Sequence, residues 1–156
     1  MPDGWAWIPQ KRDRVIVEQA GKRHEIAKPA WFEGYIQVDA SPDASRLAVL
    51  GWAASTSDTL RVDVVPTAGG TAETWSRSFA ETGGVAWMRD GSLTFNVWLG
   101  TDAVTIHRLS GPGRVKTLGT VGHVATQLNL SRDGRRGAVM WREYRGDSWM
   151  YRVIKP

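Results

Sequence analysis

The chain has 156 residues, of which 42% are hydrophobic and 23% charged, with a net charge of +4 at pH 7. This composition is typical of a globular domain and excludes a disordered chain. The absence of cysteine excludes disulfides, thiolate metal sites and a cysteine nucleophile, and no apolar run reaches the roughly 18 residues of a membrane-spanning helix.

The predicted elements are short β-strands separated by turns. Within residues 1–33 the sequence predicts strands at 4–10, 14–18 and 23–27, and Pro29 ends the last one because proline cannot donate to a strand ladder. Within 34–82 it predicts strands at 35–39, 46–53, 60–65 and 71–79. The second of these reads R-L-A-V-L-G-W-A, an almost continuous apolar run that is typical of a strand buried on both faces.

The second half of the chain repeats this scheme. Within 83–122 the predicted strands are 84–88, 92–99, 103–109 and 114–119, and within 123–156 they are 124–130, 136–144 and 149–154. We therefore expect about fourteen strands, in groups of three, four, four and three. No stretch of ten or more residues has apolar side chains at helical spacing, so almost no helix is expected.

A polar turn followed by an apolar strand occurs once in each of these four stretches. The turns contain Asp3, Asp43, Asp90 and Asp133, and a tryptophan follows at Trp7, Trp52, Trp98 and Trp141. The aspartates are 40, 47 and 43 residues apart, a period typical of units that stack on their neighbours. Four antiparallel strands per unit predict an all-β fold of β-propeller blades, about three and a half of them in an incomplete ring. A two-sheet sandwich is the alternative, but it does not explain why the aspartates and tryptophans recur at nearly constant spacing.

The repeated residues are interpreted as structural. Aspartate favours turns because its carboxylate accepts N–H bonds from the main chain two residues on. Tryptophans at repeated positions are typical of packing between the flat faces of sheets, which makes Trp7, Trp52, Trp98 and Trp141 candidate blade-core residues. Ligand binding by the aspartates and ligand stacking by the tryptophans are the alternatives.

Three of the turns also carry a resemblance to a known family. S-P-D-A-S-R-L-A-V at 41–49, M-R-D-G-S-L-T-F at 88–95 and S-R-D-G-R-R-G-A-V at 131–139 resemble the S-P-D-G-x-x-[LI]-A-[FV] motif of TolB-like propeller repeats. The stretch V-V-P-T-A-G-G-T-A-E-T-W at 64–75 is similar to the hairpin between the third and fourth strands of those blades. The Trp-Asp dipeptide of WD-repeat blades and the Asp-box of sialidases are both absent from the sequence.

The resemblance implies a propeller that binds or gates, with any catalysis in another domain. Blades of this kind occur in periplasmic TolB-type proteins, in the propellers of prolyl-oligopeptidase-like enzymes, and in extracytoplasmic sensor regions of some bacterial serine/threonine kinases.

The sequence predicts no catalytic set, no metal site and no cofactor. The candidate imidazole bases are His24, His107 and His123, and we expect these histidines to lie at the surface or to be satisfied within the core. Their spacings of 83 and 16 residues do not fit a metal-binding motif, and no G-x-S-x-G nucleophile elbow is present.

The leading functional hypothesis is a noncatalytic propeller module for protein or ligand recognition, or for self-assembly. One alternative is the propeller part of a larger hydrolase or sensor kinase whose catalytic domain lies outside this chain. Another is binding of nucleic acid or an anionic surface through basic loops, which is less favoured because acidic residues interrupt most basic groups.

The ends of the chain lead to an expectation about assembly. The first stretch begins at the turn that should follow a first strand, and the last stops after its third strand. We therefore expect either a second copy that closes the ring or the remainder of a longer propeller. The first residues lack signal-peptide character, so the chain itself is expected to be soluble, in a compartment that the sequence leaves open.

Overall fold

The computed structural model describes residues 4–29, 32–53, 60–78, 81–98, 103–122, 125–131, 136–141, 143–145 and 148–150. For residues 77–78, 81–83, 98, 121–122, 125–130, 137–141, 143–145 and 148–150 it describes the main chain alone.

The described residues form fifteen antiparallel strands and no helix. The first sheet contains β1 (Gly4–Trp7), β2 (Arg14–Gln19) and β3 (Lys22–Ala27). The second sheet contains β4 (Phe32–Ala40), β5 (Arg46–Ala53), β6 (Leu60–Pro66) and β7 (Glu73–Ser78). The third sheet contains β8 (Glu81–Trp87), β9 (Leu93–Trp98), β10 (Ala103–Leu109) and β11 (Val115–Gly122). Two strand pairs follow, β12 (Ala125–Leu130) with β13 (Gly137–Trp141) and β14 (Glu143–Arg145) with β15 (Ser148–Met150).

The predicted all-β architecture with almost no helix is confirmed. Each sheet is a meander in which strands pair in chain order, as in a propeller blade. The second sheet begins at Phe32, where the sequence placed a blade boundary at residue 34, and the third begins at Glu81, where it placed one at 83. In the last part of the chain, the strands expected at 124–130, 136–144 and 149–154 correspond to β12, to β13 and β14 on either side of residue 142, which lies outside the described residues, and to β15.

Two apolar cores hold the first three sheets together. The core between the first and second sheets joins side chains of β2 and β3 to side chains of β4, β5 and β6, and contains Val15, Val17, Ile26, Phe32, Tyr35, Leu47, Val49 and Val65. The core between the second and third sheets contains Ala48, Leu50, Leu60, Val62, Val64, Trp75, Val85, Trp87, Leu93, Phe95, Val97 and Leu109. The second sheet is thus buried on both faces.

The strand β5 shows why its sequence is apolar almost throughout. Because successive side chains of a strand point to opposite faces, Leu47 and Val49 enter one core while Ala48 and Leu50 enter the other. Gly51 has a separate reason: a Cβ built there would lie 1.7 Å from Cε1 of Phe32. Glycine at this position therefore lets the Phe32 ring lie across β5.

Candidate functional site

The first strands of three successive units lie next to one another. β4 and β8 each form one edge of their four-stranded sheet, β4 contacts β8, and β8 contacts β12. In a propeller the sheets are arranged around a central channel, and the strands that meet across blades in this way surround it. We call β4, β8 and β12 the inner strands.

Each inner strand contains a bulge at the same position in the repeat. In β4 the pairing with β5 passes from Tyr35 to Gln37, so Ile36 has no partner. The pairing skips Gly83 in β8 and Thr126 in β12 in the same way. The intervals between these three bulge positions are 47 and 43 residues, as between Asp43, Asp90 and Asp133. A bulge leaves its extra residue outside the ladder and redirects its side chain.

The side chain of Ile36 illustrates the effect. It is 37% exposed, although its neighbour Tyr35 is only 1% exposed. The sequence interpretation did not identify these positions. A signal was present, because I-Q-V-D-A-S at 36–41 recurs as T-Q-L-N-L-S at 126–131, beginning in both cases at the bulge residue.

The carboxylate of Asp43 organises the turn between β4 and β5. Its Oδ1 accepts hydrogen bonds from Ser41 Oγ at 2.6 Å and from the Ser45 main-chain N–H at 3.1 Å, and its Oδ2 accepts one from Ser45 Oγ at 2.8 Å. These bonds stabilise the charged form, the bond from Ser41 most strongly, and lower the pKa of Asp43 from 3.8 to about 2. Ala44 follows with a φ of 60°, in the left-handed region where the third sheet has Gly91 at 79°.

The equivalent turn between β8 and β9 is built in the same way. Asp90 Oδ1 accepts hydrogen bonds from Ser92 Oγ at 2.6 Å and from the Ser92 N–H at 3.1 Å, and Asp90 also forms an ion pair with Arg108. The side-chain bond from Ser92 is the largest cause of the lowered pKa of Asp90. In the next unit, the N–H of Arg136 donates to Ser131 Oγ at 3.0 Å, as that of Arg46 does to Ser41 Oγ at 2.9 Å. Asp3 and Asp133 lie outside the described residues.

The predicted blade-core tryptophans occupy different environments. Trp52 is partly buried against the core between the second and third sheets, while Trp7 is 36% exposed on the face of the first sheet that points away from the second. Trp7 follows its aspartate by four residues, whereas Trp52 follows its own by nine. Because side chains alternate between the two faces of a strand, this difference of five residues places the two tryptophans on opposite faces of equivalent strands. Trp98 and Trp141 end β9 and β13, and their side chains lie outside the described part of the structure.

Two other tryptophans form the centre of that core. Trp75 and Trp87 are each 4% exposed, and their rings meet edge to face with centroids 5.6 Å apart. Arg46 lies over both rings, with its guanidinium carbon 4.8 Å from the Trp87 centroid and 5.7 Å from that of Trp75. Their burial indicates a structural role. The prediction did not identify them, because it selected the tryptophans that follow the Asp-containing turns.

Polar side chains of β4 bind the main chain of β8. Gln37 Nε2 donates to the Val85 carbonyl at 3.0 Å, and the Val85 N–H donates back to Gln37 Oε1 at 3.1 Å. The Trp87 N–H donates to Asp39 Oδ2 at 2.7 Å, and Trp87 Nε1 donates to the Asp39 carbonyl at 3.2 Å. We call these four hydrogen bonds the inner-strand lock. Each joins a side chain of one strand to the main chain of the other, whereas two strands paired in a sheet are joined main chain to main chain.

A buried charged group lies on the face of the second sheet that packs against the first sheet. Asp63 is 0% exposed and accepts a hydrogen bond from Arg61 Nε at 2.8 Å, while Arg61 also binds Thr74. Burial, and secondarily the charge of Asp63, raise the pKa of Tyr35 to about 12. Because Tyr35 and Asp63 are buried beside the core shared with the first sheet, neither side chain presents a surface to a ligand.

The two described histidines belong to different sheets. His24 Nε2 lies 2.5 Å from the carbonyl oxygen of Thr67 and thereby connects the first and second sheets. His107 stacks on Phe95 with centroids 5.1 Å apart, and burial lowers the pKa of its imidazole. His123 lies outside the described residues.

The described ranges contain neither a candidate metal site nor a helix that could span a membrane. No group of three or more His, Cys, Asp or Glu side chains among these residues could hold a metal ion. No helix of the described part of the chain is long and apolar enough to cross a membrane.

The sheet topology and the comparisons agree on the fold, which is that of β-propeller blades of the TolB kind. No family model and no curated protein sequence matches the chain. Among solved structures, TolB from Acinetobacter baumannii matches 97% of the chain with a TM-score of 0.68 and 20% identity. The tricorn protease matches 97% of the chain with a TM-score of 0.61 and 13% identity. The β-propeller domain of the Trilobed protease from Pyrococcus furiosus matches 92% with a TM-score of 0.55 and 9% identity.

The chain is short in comparison with these structures. It spans 37% of the TolB chain, 16% of the tricorn protease chain and 48% of the Trilobed protease propeller domain. At these identities the likeness defines the fold, and the activities of the longer proteins are not transferred with it.

Proposed function

We propose that the chain is a noncatalytic propeller module that recognises a protein or small-molecule partner along its inner strands. The observation that carries this proposal is the bulge repeated in β4, β8 and β12. It gives all three inner strands a position outside the ladder at the same place in the repeat, and loops and irregular positions on a rigid scaffold are where binding residues concentrate.

Several polar side chains that could otherwise bind a partner already have partners within the fold, which supports the same surface. Asp43 is bound within its own turn, Asp90 is bound within its turn and by Arg108, Gln37 and Asp39 hold the third sheet, and Asp63 is buried. Ile36, in contrast, is 37% exposed in the middle of an inner strand.

Site-directed photocrosslinking tests the proposal. We would replace Ile36 by p-benzoylphenylalanine and place the same group at Val115 as a control, because Val115 is 49% exposed on the outer strand β11. After crosslinking in cells that express the protein, we expect a discrete adduct at position 36 and none at position 115. The adduct partner would then be purified, and Ile36→Asp should weaken its binding at least about tenfold, as loss of a central anchor does. Equal adducts at both positions, or unchanged binding by Ile36→Asp, would contradict the proposal.

A second candidate is a propeller that belongs to a larger hydrolase or sensor kinase. Its support is that two similar structures come from proteases, in one of which the matched part is named as a propeller domain. A gene in which a catalytic domain is continuous with this sequence would favour it over the first proposal.

Nucleic-acid binding is less supported by the charges. The guanidinium groups of Arg14, Arg23, Arg61 and Arg108 each lie within ion-pair distance of a carboxylate. Assembly with further blades, from a second copy or from a longer polypeptide, is proposed alongside recognition and does not depend on it.

A further inference from the structure

The outer face of the first sheet, which points away from the second sheet, differs from the other described sheet faces. Register pairing places Trp5, Glu18 and Arg23 in one row across β1, β2 and β3, and Trp7, Ile16 and Glu25 in the next. We call this surface the tryptophan face. Trp5 is 75% exposed and Trp7 36% exposed, whereas both faces of the second sheet are buried in apolar cores.

The tryptophan face combines aromatic and charged side chains. Tryptophan and arginine are among the residue types enriched in protein interfaces, whereas glutamate, present at Glu18 and Glu25, is a depleted type. The guanidinium carbon of Arg23 lies 5.6 Å from the Trp7 centroid, and Arg23 and Arg14 lie 3.8 Å and 3.5 Å from the Glu25 carboxylate. The charges alternate in sign, which disfavours a polyanion or a polycation as the partner.

The order of the rows makes the face complementary to itself. A two-fold axis that lies between two such faces, perpendicular to the strands, exchanges the two rows. Trp5 of one copy then lies opposite Trp7 of the other, Arg23 lies opposite Glu25 and Glu18 lies opposite Ile16, with each contact made twice. This is the isologous geometry of most homodimers.

We propose that the tryptophan face is a self-association surface on which a second copy of this chain docks through this two-fold arrangement. The contact continues the sheet-on-sheet packing that already joins the first sheet to the second. It goes beyond the proposed recognition at the inner strands, and it is an alternative to closure of a ring, because both would use the outer face of the first sheet. In a ring, the first sheet of one copy would meet the last sheet of the other.

Sedimentation velocity over a concentration series tests the proposal with charge reversal. The wild-type chain should form a species of twice the 17.3 kDa mass of one chain. Arg23→Glu and Glu25→Arg should each weaken the dimer at least about tenfold, because each creates two like-charge contacts. The double variant Arg23→Glu/Glu25→Arg should return the dissociation constant to within about threefold of the wild-type value.

Two apolar variants complete the test. Trp5→Ala should weaken the dimer at least about tenfold, since central aromatic anchors dominate such interfaces. Leu118→Ala should leave it unchanged, because it truncates a 49% exposed side chain on β11 of the third sheet. Circular dichroism and thermal unfolding of each variant show whether the monomer is intact, and the exposed Arg23 variant remains informative if Trp5→Ala unfolds.

The outcomes separate the possibilities. A wild-type monomer at all concentrations overturns the proposal, as does a dimer that neither single charge reversal weakens. A dimer that the single reversals weaken but the double variant does not restore overturns the two-fold register and favours ring closure. None of these results bears on the crosslinking at Ile36, so the two proposals fail independently.

Discussion

The interface between the first and second sheets and the interface between the second and third sheets share an apolar core but differ in their polar contacts. Phe32, Tyr35 and Val49 are as deeply buried in one as Leu50, Leu93 and Leu109 are in the other. Among the described residues, however, only the second interface has side chains that bind the main chain of the facing inner strand at four points. At the first interface, Lys28 Nζ donates to the Phe32 carbonyl of β4, His24 contacts the carbonyl of Thr67, and the Tyr35 N–H donates to the carbonyl of Arg12.

The difference shows that apolar burial, which joins two sheets, is distinct from the hydrogen bonds that set their relative position. Apolar burial contributes most of the free energy, but it is not directional. Hydrogen bonds to a main chain tolerate little displacement, so the inner-strand lock fixes how far β8 slides along β4. We infer that the second and third sheets form the more precisely aligned pair.

The largest effect is expected from removal of apolar contacts, and it should be similar at the two interfaces. Trp87→Ala and Phe32→Ala should each lower the free energy of unfolding by about 3–5 kcal/mol, as truncation of buried aromatic residues does. Trp52→Ala is the control, because its half-buried side chain should cost less. Urea unfolding followed by circular dichroism measures all three. A loss at Trp87 no larger than that at Trp52 would show that the centre of the core lies elsewhere.

A smaller effect should distinguish the interfaces. Asp39→Ala removes the carboxylate that accepts the Trp87 N–H at 2.7 Å, and it should cost about 2–3 kcal/mol, since a bond to a charged group is lost and a donor is left unpaired. His24→Ala, at the first interface, should cost about 1 kcal/mol. The same unfolding measurement compares them. Equal costs would mean that the inner-strand lock adds nothing beyond ordinary hydrogen bonding.

The smallest effect should come from Asp43, whose hydrogen bonds to other described residues are to Ser41 and Ser45 of its own turn. Its pKa is lowered from 3.8 in an ordinary carboxyl to about 2 in the fold. Between these values the unfolded chain binds a proton more readily than the folded chain, so the stabilisation by Asp43 is present above about pH 4 and is lost as the pH falls toward 2. The difference in Tm between wild type and Asp43→Asn should therefore shrink over this range. A difference that stays constant from pH 6 to pH 2 would show that the charge of Asp43 does not stabilise the turn.

The features that could be predicted from the sequence are those that depend on one strand or one turn. The apolar run of β5 indicated burial on both faces, and the Asp-containing turns marked the period, because both signals come from neighbouring residues. The bulges at Ile36, Gly83 and Thr126 could not be found in this way, since a bulge is a property of the pairing between two strands. The environments of Trp7, Trp75 and Trp87 were missed for a related reason: one residue of register decides which face a side chain occupies.

The bulge in each inner strand also has a consequence for how such a chain can diversify. In a regular strand every residue belongs to one face or the other, so a substitution alters the packing of one of the two interfaces. The bulge residue adds one position without moving the residues on either side to the wrong face, because the alternation resumes in phase after it. The repeat already has isoleucine, glycine and threonine at Ile36, Gly83 and Thr126, three residues of very different size and polarity, each in a strand that pairs antiparallel with the strand after it. These positions can therefore change during evolution or design while the surrounding architecture is retained.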